Sequence, residues 1–266
     1  MVQIAAKTMK RNVLRLAAAA ASLLLACSTA QSTPKGGYAW IQLADGLSYA
    51  TFSFSRGADE PSTAIHAFRV DPKKFRVGVV TAKDEKAGAT ASEMARRAGA
   101  IIAVNGGFFT PQHTSIGLIV KNGKELSPLH KTSWWSVFAI GKDGPAIYSL
   151  RNYRDAKGVN TALQAGPRLV IDGKIPRLKE SVASRSAVGI TRDGKVVIAV
   201  TQGPGISMTE LARRMGSSQF RGGFDCRNAM ALDGGSSSQL YAKIKKFELS
   251  LPNIARVTNG LAVFSK

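Results

Sequence analysis

The sequence predicts an α+β fold, a single domain of largely antiparallel mixed sheets carrying two or three short helices. Three observations predict it. Short apolar runs alternate with Asn-Gly and Asp-Gly pairs, the strongest local signal for hairpins. Only two segments carry a helix-start pattern followed by a glycine stop. The chain of 266 residues is 44% hydrophobic and 20% charged, enough apolar surface for a real core.

The strands follow in order. Tyr38–Leu43 and Tyr49–Phe54 flank Ala44-Asp45-Gly46 as a hairpin. Ala64–Val70 and Phe75–Val80 are separated by Asp71-Pro72. Ile116–Val120 ends at Asn122-Gly123, Val137–Ile140 at Asp143-Gly144, and Leu169–Ile171 at Asp172-Gly173. Ala187–Thr191 and Val196–Thr201 flank Asp193-Gly194. Ala100–Val104 and Ala229–Leu232 read as buried strands, each running into a glycine pair. Thr90-Ala91-Ser92-Glu93 is a capping-box pattern that opens a helix to about Arg97, before Gly99. Ser207-Met208-Thr209-Glu210 opens a second, to about Met215, with Gly216 as its stop.

Residues 1–26 are an address and not part of the fold. Lys10, Arg11 and Arg15 precede an apolar run, Leu16 to Leu25, too short to span a bilayer comfortably. It ends Leu24-Leu25-Ala26-Cys27, which resembles a bacterial lipobox, with Cys27 acylated at the mature N-terminus. Met9 is a more natural start than Met1. Ser28 after the cysteine resembles the signal for the outer membrane, facing the periplasm. Residues 27–37 are small, polar and interrupted by Pro34, and read as a tether. Residues 38–266 form the domain.

The net charge is +20. Residues 1–26 hold four basic residues and no acid, so the remainder keeps +16 and the basic character belongs to the domain. Such an excess points to an anionic partner. An exported protein does not meet the genome, so an envelope polymer replaces nucleic acid in that role. Besides Cys27 there is only Cys226, read as a buried small hydrophobe. There is no zinc-type cysteine–histidine spacing, no Gly-x-Ser-x-Gly elbow and no His-Glu-x-x-His, and Ser32-x-x-Lys35 lies in the tether. No metal or cofactor is implied.

Two motifs carry the chemistry. Ile101-Ile102-Ala103-Val104-Asn105-Gly106-Gly107-Phe108-Phe109 and Ala231-Leu232-Asp233-Gly234-Gly235-Ser236-Ser237-Ser238 share one plan. Each is an apolar strand, one short polar residue, then a glycine pair whose N–H groups are expected to form an anion-binding concavity. Asn105 offers a donor and an acceptor, and Asp233 the only charge within the motifs. With Gly166-Pro167-Arg168-Leu169, Arg185-Ser186-Ala187-Val188-Gly189-Ile190 and Asn259-Gly260-Leu261-Ala262-Val263, they form an ordered set from about Ile101 to Val263. In that order the set resembles the phosphodiester glycosidase family. Ser236 stands where many members have a third glycine, Ser217 to Cys226 forms a spacer, and Thr201-Gln202-Gly203 lacks an acidic residue.

The resemblance implies hydrolysis of a sugar-1-phosphodiester in a cell-envelope glycan or glycoconjugate. Asp233 would be general base or nucleophile, Arg185 would hold the phosphate, and Asn105 would orient phosphate or sugar. Gly106, Gly107, Arg168, Gly234, Gly235, Ser236, Ser237 and Asn259 would bind substrate. A single carboxylate suffices because a phosphomonoester leaves more readily than an alcohol; ordinary glycosidases use two. Two alternatives stay open: a non-catalytic lipoprotein holding an anionic envelope glycan, and a phosphodiesterase attacking at phosphorus. Among other residues, His66 reads as structural, His113 as a possible acid and His130 as surface. Trp134-Trp135 reads as a core pair or a sugar platform, with at least one ring in the core. Asn105, Arg185 and Asp233 are expected to line one cleft.

The lipid anchor is tested directly. Cys27→Ala is expected to leave the precursor uncleaved or to move the protein out of the membrane fraction, read by detergent partition. A mature N-terminus at another residue overturns the assignment.

Overall fold

The computed structural model describes residues 38–55, 57, 59–153 and 158–266. The signal, the tether and Cys27 lie outside the described residues. The chain runs β1 (Ile41–Ala44), β2 (Leu47–Phe54), β3 (Thr63–Val70), β4 (Phe75–Thr81), α1 (Ala91–Ala98) and β5 (Ile102–Asn105). Then come β6 (Ile119–Lys121), β7 (Lys124–Ser127), β8 (Ser136–Gly141), β9 (Gly144–Ser149), a one-turn α2 (Leu150–Tyr153), β10 (Thr161–Ala165) and β11 (Arg168–Val170). The last third holds β12 (Val182–Ala183), β13 (Ser186–Thr191), β14 (Val196–Gln202), β15 (Ile206–Ser207) and α3 (Met208–Gly216). It ends with β16 (Cys226–Ala231), β17 (Leu240–Ile244), β18 (Phe247–Leu251) and β19 (Asn259–Ser265).

Local chemistry sets the turns. Asn122 and Gly123 both have positive φ, 52° and 76°, as a tight hairpin between β6 and β7 requires. The Asp-Gly pairs also close β1–β2, β8–β9 and β13–β14, but there only the glycine takes positive φ, 82° at Gly46, 95° at Gly144 and 80° at Gly194. At Asp172-Gly173 the hairpin stops after one bridge, Ile171 to Lys174, and no second strand follows. Thr90 caps α1 with a complete capping box, and Gly99 ends it in the left-handed region at φ 68°. Helix α3 differs from expectation at its end. Gly216 lies inside the last turn, and extended Ser217 is the cap. A Cβ on Gly216 would sit 3.0 Å from Val170 Cγ2, so the glycine there serves close packing of α3 on β11.

The strands form a seven-stranded sheet, β1-β2-β3-β14-β13-β16-β11, and two five-stranded sheets, β18-β17-β5-β19-β4 and β7-β6-β10-β8-β9. A small pair, β12-β15, lies apart. Every strand pairing among the described residues is antiparallel. Although β3 and β4 are consecutive, they belong to different sheets, so Asp71-Pro72 is a corner and not a hairpin.

The three large sheets share one core. Phe68, Val188, Ile198 and Met230 come from the first, Val104 and Leu261 from the second, Phe138 and Leu163 from the third. All are buried, which makes this core the main apolar contribution to stability. The outer face of the seven-stranded sheet is paved with small residues, Ala67, Ala187, Ala199 and Ala229, and α3 lays Leu211, Ala212 and Met215 on it. Helix α1 covers the second sheet in the same manner, with Met94 and Ala95 over Ala103 and Ala262.

Gly189 marks how close α3 comes. A Cβ there would lie 2.5 Å from Cys226 Sγ and 2.8 Å from Met215 Cε. Gly189→Ala is therefore expected to destabilise by about 1–3 kcal/mol through overpacking. A urea midpoint matching the parent protein would show that the helix yields.

Candidate functional site

Five chain segments meet at one end of the shared core: the C-termini of β5 and β16, the N-termini of β13 and β19, and the link from β10 to β11. Antiparallel pairing brings them together, since the end of β5 lies beside the start of β19 and the end of β16 beside the start of β13.

Asn105 joins them. It is fully buried. Its Nδ2 donates to the Asp233 carbonyl at 2.7 Å; its Oδ1 accepts from Ser186 Oγ at 2.7 Å and from the Gln239 N–H at 3.2 Å. The Asp233 N–H donates to the Gly106 carbonyl at 2.9 Å. The two glycine motifs are thus bonded to each other, and Asn105 positions the Asp233 loop.

Asp233 is half-buried. Desolvation raises its pKa, opposed by hydrogen bonds from Ser237 and from the Gly234 N–H at 2.9 Å. Arg185 approaches from the next strand. Its Nη2 donates to Ser181 O at 2.6 Å and Ser181 Oγ at 2.8 Å. Its Nη1 lies 3.4 Å from where a Gly234 Cβ would stand. Among the described residues Asp233 and Arg185 make no ion pair with each other. The carboxylate accepts from the Gly234 N–H and the guanidinium lies against the same glycine, with Glu180 as the acid whose charge acts on Arg185. Gly235 has open space on its Cβ side. Ser236 is exposed above it, and Asn253 Nδ2 ties the loop down through Gly235 O and Ser238 O, each at 3.0 Å.

The glycine N–H groups do not form the expected anion concavity. Gly106 N and Gly107 N donate to Asn259 O and Oδ1 at 2.9 and 2.7 Å. Gly234 N goes to its own neighbour's carboxylate, and Gly235 N to Ser184 O at 2.8 Å. The first pair is glycine because chains touch there: a Cβ on Gly106 would be 2.2 Å from Asn259 Oδ1, and on Gly107 2.5 Å from Gln164 O. Asn259 is itself buried and braced by Ser115 and Thr258. Arg168 points back along β16 to Asn228 Oδ1 at 3.1 Å, and desolvation lowers its pKa. The structure does not bring its guanidinium to Asp233. Arg185 is left as the cation of the site.

The histidines lie elsewhere or serve packing. His66 accepts from or donates to Tyr49 OH at 2.7 Å and meets Gln202 Oε1 at 3.1 Å, with burial lowering its pKa. His113 stacks on Phe109, and exposed His130 meets Trp135 at a tilt of 39°. Trp135 is buried and Trp134 is 55% exposed, so the pair divides between core and surface. Sequence reasoning missed three polar residues that hold the site. Gln239 accepts from the Ala91 N–H and donates to Ala255 O, Gln164 bridges Leu118 and His130, and Ser186 anchors Asn105. Gln239 and Gln164 carry no local signature, because most of their partners lie at least 16 residues away; only the Gln239 bond to Ser237 O is local.

Known proteins share these features. A family model described as phosphodiester glycosidase matches residues 98–264. The uncharacterized protein YigE of Escherichia coli strain K12 is 28% identical over 160 residues, which are 54% of this chain and 63% of that one. The chain therefore spans less than two thirds of that relative's length. Among solved structures, one is the zebrafish N-acetylglucosamine-1-phosphodiester alpha-N-acetylglucosaminidase catalytic domain, auto-inhibited by its pro-peptide. It matches with a TM-score of 0.64 over 86% of this chain and 87% of its own, at 17% identity. A hypothetical protein from Synechocystis matches at 0.60 over 86% and 64%, at 15% identity. At these identities the structural matches show a shared fold.

The raised Asp233 pKa gives a pH-dependent prediction. The folded state retains the proton at pH values where the unfolded chain has lost it. Burial of this group costs nothing below the ordinary value of 3.8, then costs progressively more as pH rises through the raised value, and levels off above it. Asp233→Asn is expected to stabilise the protein at neutral pH, with the gain vanishing as pH falls below 3.8. Thermal denaturation across pH measures it; a loss of stability at neutral pH contradicts the assignment.

Proposed function

Because the chain belongs to the phosphodiester glycosidase family, we propose that it hydrolyses sugar-1-phosphodiesters in a cell-envelope glycan or glycoconjugate. The signal-like N-terminus and lipobox-like Cys27 support an envelope location, anchored by lipid in the outer membrane and facing the periplasm. The observation that carries the reaction is the Gly234-Gly235 turn: the Asp233 carboxylate accepts from the Gly234 N–H, the Arg185 guanidinium lies against Gly234, and Gly235 faces open space.

Water attacks the sugar C1 as Asp233 takes its proton. The C1–O bond breaks with its electron pair remaining on the phosphate oxygen, giving free sugar and a phosphomonoester. Arg185 faces the phosphate and stabilises the charge that develops there. With Asp233 as nucleophile, the same bonds exchange in two steps through a covalent sugar–enzyme ester. Asn105 does not touch substrate in either route; it holds the Asp233 backbone. The raised pKa suits a base, since proton affinity rises with it. A half-buried carboxylate opposes simple anion binding, which favours this reading over a non-catalytic binding lipoprotein.

A panel of chromogenic 1-phosphodiesters of N-acetylglucosamine, glucose and galactose tests it. Asp233→Asn is expected to lower turnover by about 10²–10⁴-fold while sugar-1-phosphate binding, followed by calorimetry, persists. Hydrolysis in isotopically labelled water places the new oxygen on sugar for attack at carbon, or on phosphate for attack at phosphorus. Binding of anionic glycan with no turnover of any ester would establish the binding-protein alternative.

A further inference from the structure

The hydrolysis set out above leaves an adjoining groove without a role. Trp134, Pro167, Leu178 and Met208 form its walls and Arg177 and Lys179 its rim, around about 520 Å³. Arg185 links it to the Gly234 turn. Ser181, which also lines it, accepts from Arg185 Nη2 through both O and Oγ, while Arg185 Nη1 lies against Gly234. Glu180 is not among the lining residues; its carboxylate accepts from Thr209 Oγ1, and its charge acts on Arg185.

Trp134 is exposed yet held. Trp135 meets it edge-on at 5.5 Å, and Phe108, next to Gly107, packs at 6.2 Å. Gly166 permits this close assembly: a Cβ there would lie 2.9 Å from Trp135 Cα and 3.0 Å from Trp134 O. A large aromatic ring fixed from two sides, with its remaining surface in water, is a preformed contact surface.

The lining tells one occupant from another. A sugar ring carries hydroxyls that need acceptors as well as donors. No carboxylate or side-chain amide lines the groove, and the Ser181 hydroxyl is engaged with Arg185. Buried sugar hydroxyls would lose bonds to water without replacement. A hydrocarbon chain loses nothing there, and the cations at the rim match phosphate oxygens. We propose that the groove holds the hydrocarbon part of the alcohol esterified to the phosphate, so that the substrate class is a lipid-linked sugar-1-phosphodiester. This rests on the hydrolase reading. Hydrolysis then bonds the water oxygen to sugar C1 and releases an alkyl phosphate, its charge facing Arg185 and its chain on Trp134.

The test compares methyl, decyl and glucosyl phosphodiesters of the sugar hydrolysed fastest in the panel, with the decyl ester kept below its micelle concentration. The decyl ester is expected to exceed the methyl ester in kcat/KM by about tenfold or more, from burial of several methylenes. Trp134→Ala should bring that ratio close to one, and the methyl ester rate of the same variant reports its folding. Equal rates for methyl and decyl, or preference for the glucosyl ester, overturn the proposal. If no ester is hydrolysed, the hydrolase reading falls and calorimetry with decyl and methyl phosphate decides the groove by itself. Tighter decyl phosphate binding that Trp134→Ala removes supports it; equal binding overturns it.

Discussion

The buried side chain of Asn105 is the constraint on which the site depends. Three hydrogen bonds from one amide join the end of β5 to the Asp233 carbonyl, to Ser186 at the start of β13, and to Gln239 ahead of β17. These partners come from two different sheets. No other side chain of that length presents a donor and an acceptor in this arrangement; aspartate would lose the donor and leucine both. Each partner left unsatisfied in a buried place costs about 1–3 kcal/mol. The glycines beside Asn105 follow from the same constraint. Asn259 and Gln164 press against Gly106 and Gly107 at distances no Cβ would allow, so the strand ends close into one compact cluster.

That compactness sets the electrostatics. The loop that Asn105 fixes carries Asp233 into a half-buried position where desolvation outweighs two hydrogen bonds. Such a carboxylate is destabilising for the fold at neutral pH, and the rest of the domain supports it through the large shared core. Arg185 is equally constrained. Its guanidinium is fixed on the Ser181 side while its other edge reaches Gly234. Under the proposed hydrolysis, these two fixed groups on the Gly234 turn would act as a preorganised charge pattern.

The basic excess of the chain is spread more widely than the site. Most ion pairs are exposed, such as Arg192 with Asp225 and Arg227 with Asp172, and contribute little to stability. The excess cations act at a distance and would raise the local concentration of an anionic ligand. Near the groove, Arg177 and Lys179 combine that long-range effect with a specific place beside an apolar wall.

The sequence by itself determined the parts governed by near neighbours. The hairpin turns, the capping box at Thr90, the strands that lead into Asn105 and Asp233, and the ordered family motifs were all legible. Each depends on contacts within a few residues, or on a pattern specific enough as a set. Only the tertiary structure decided how those parts are used. It split β3 and β4 between sheets, pointed Arg168 at Asn228, and spent the glycine N–H groups on Asn259, Asp233 and Ser184. It also buried Trp135 while leaving Trp134 open. The physical reason is sequence separation. Gln239 and Asn105 are 134 residues apart, and Arg185 and Gly234 meet across neighbouring strands, so no local propensity encodes their contact. Such contacts exist only once the sheets have packed, when buried polar groups must find partners wherever the fold has placed them.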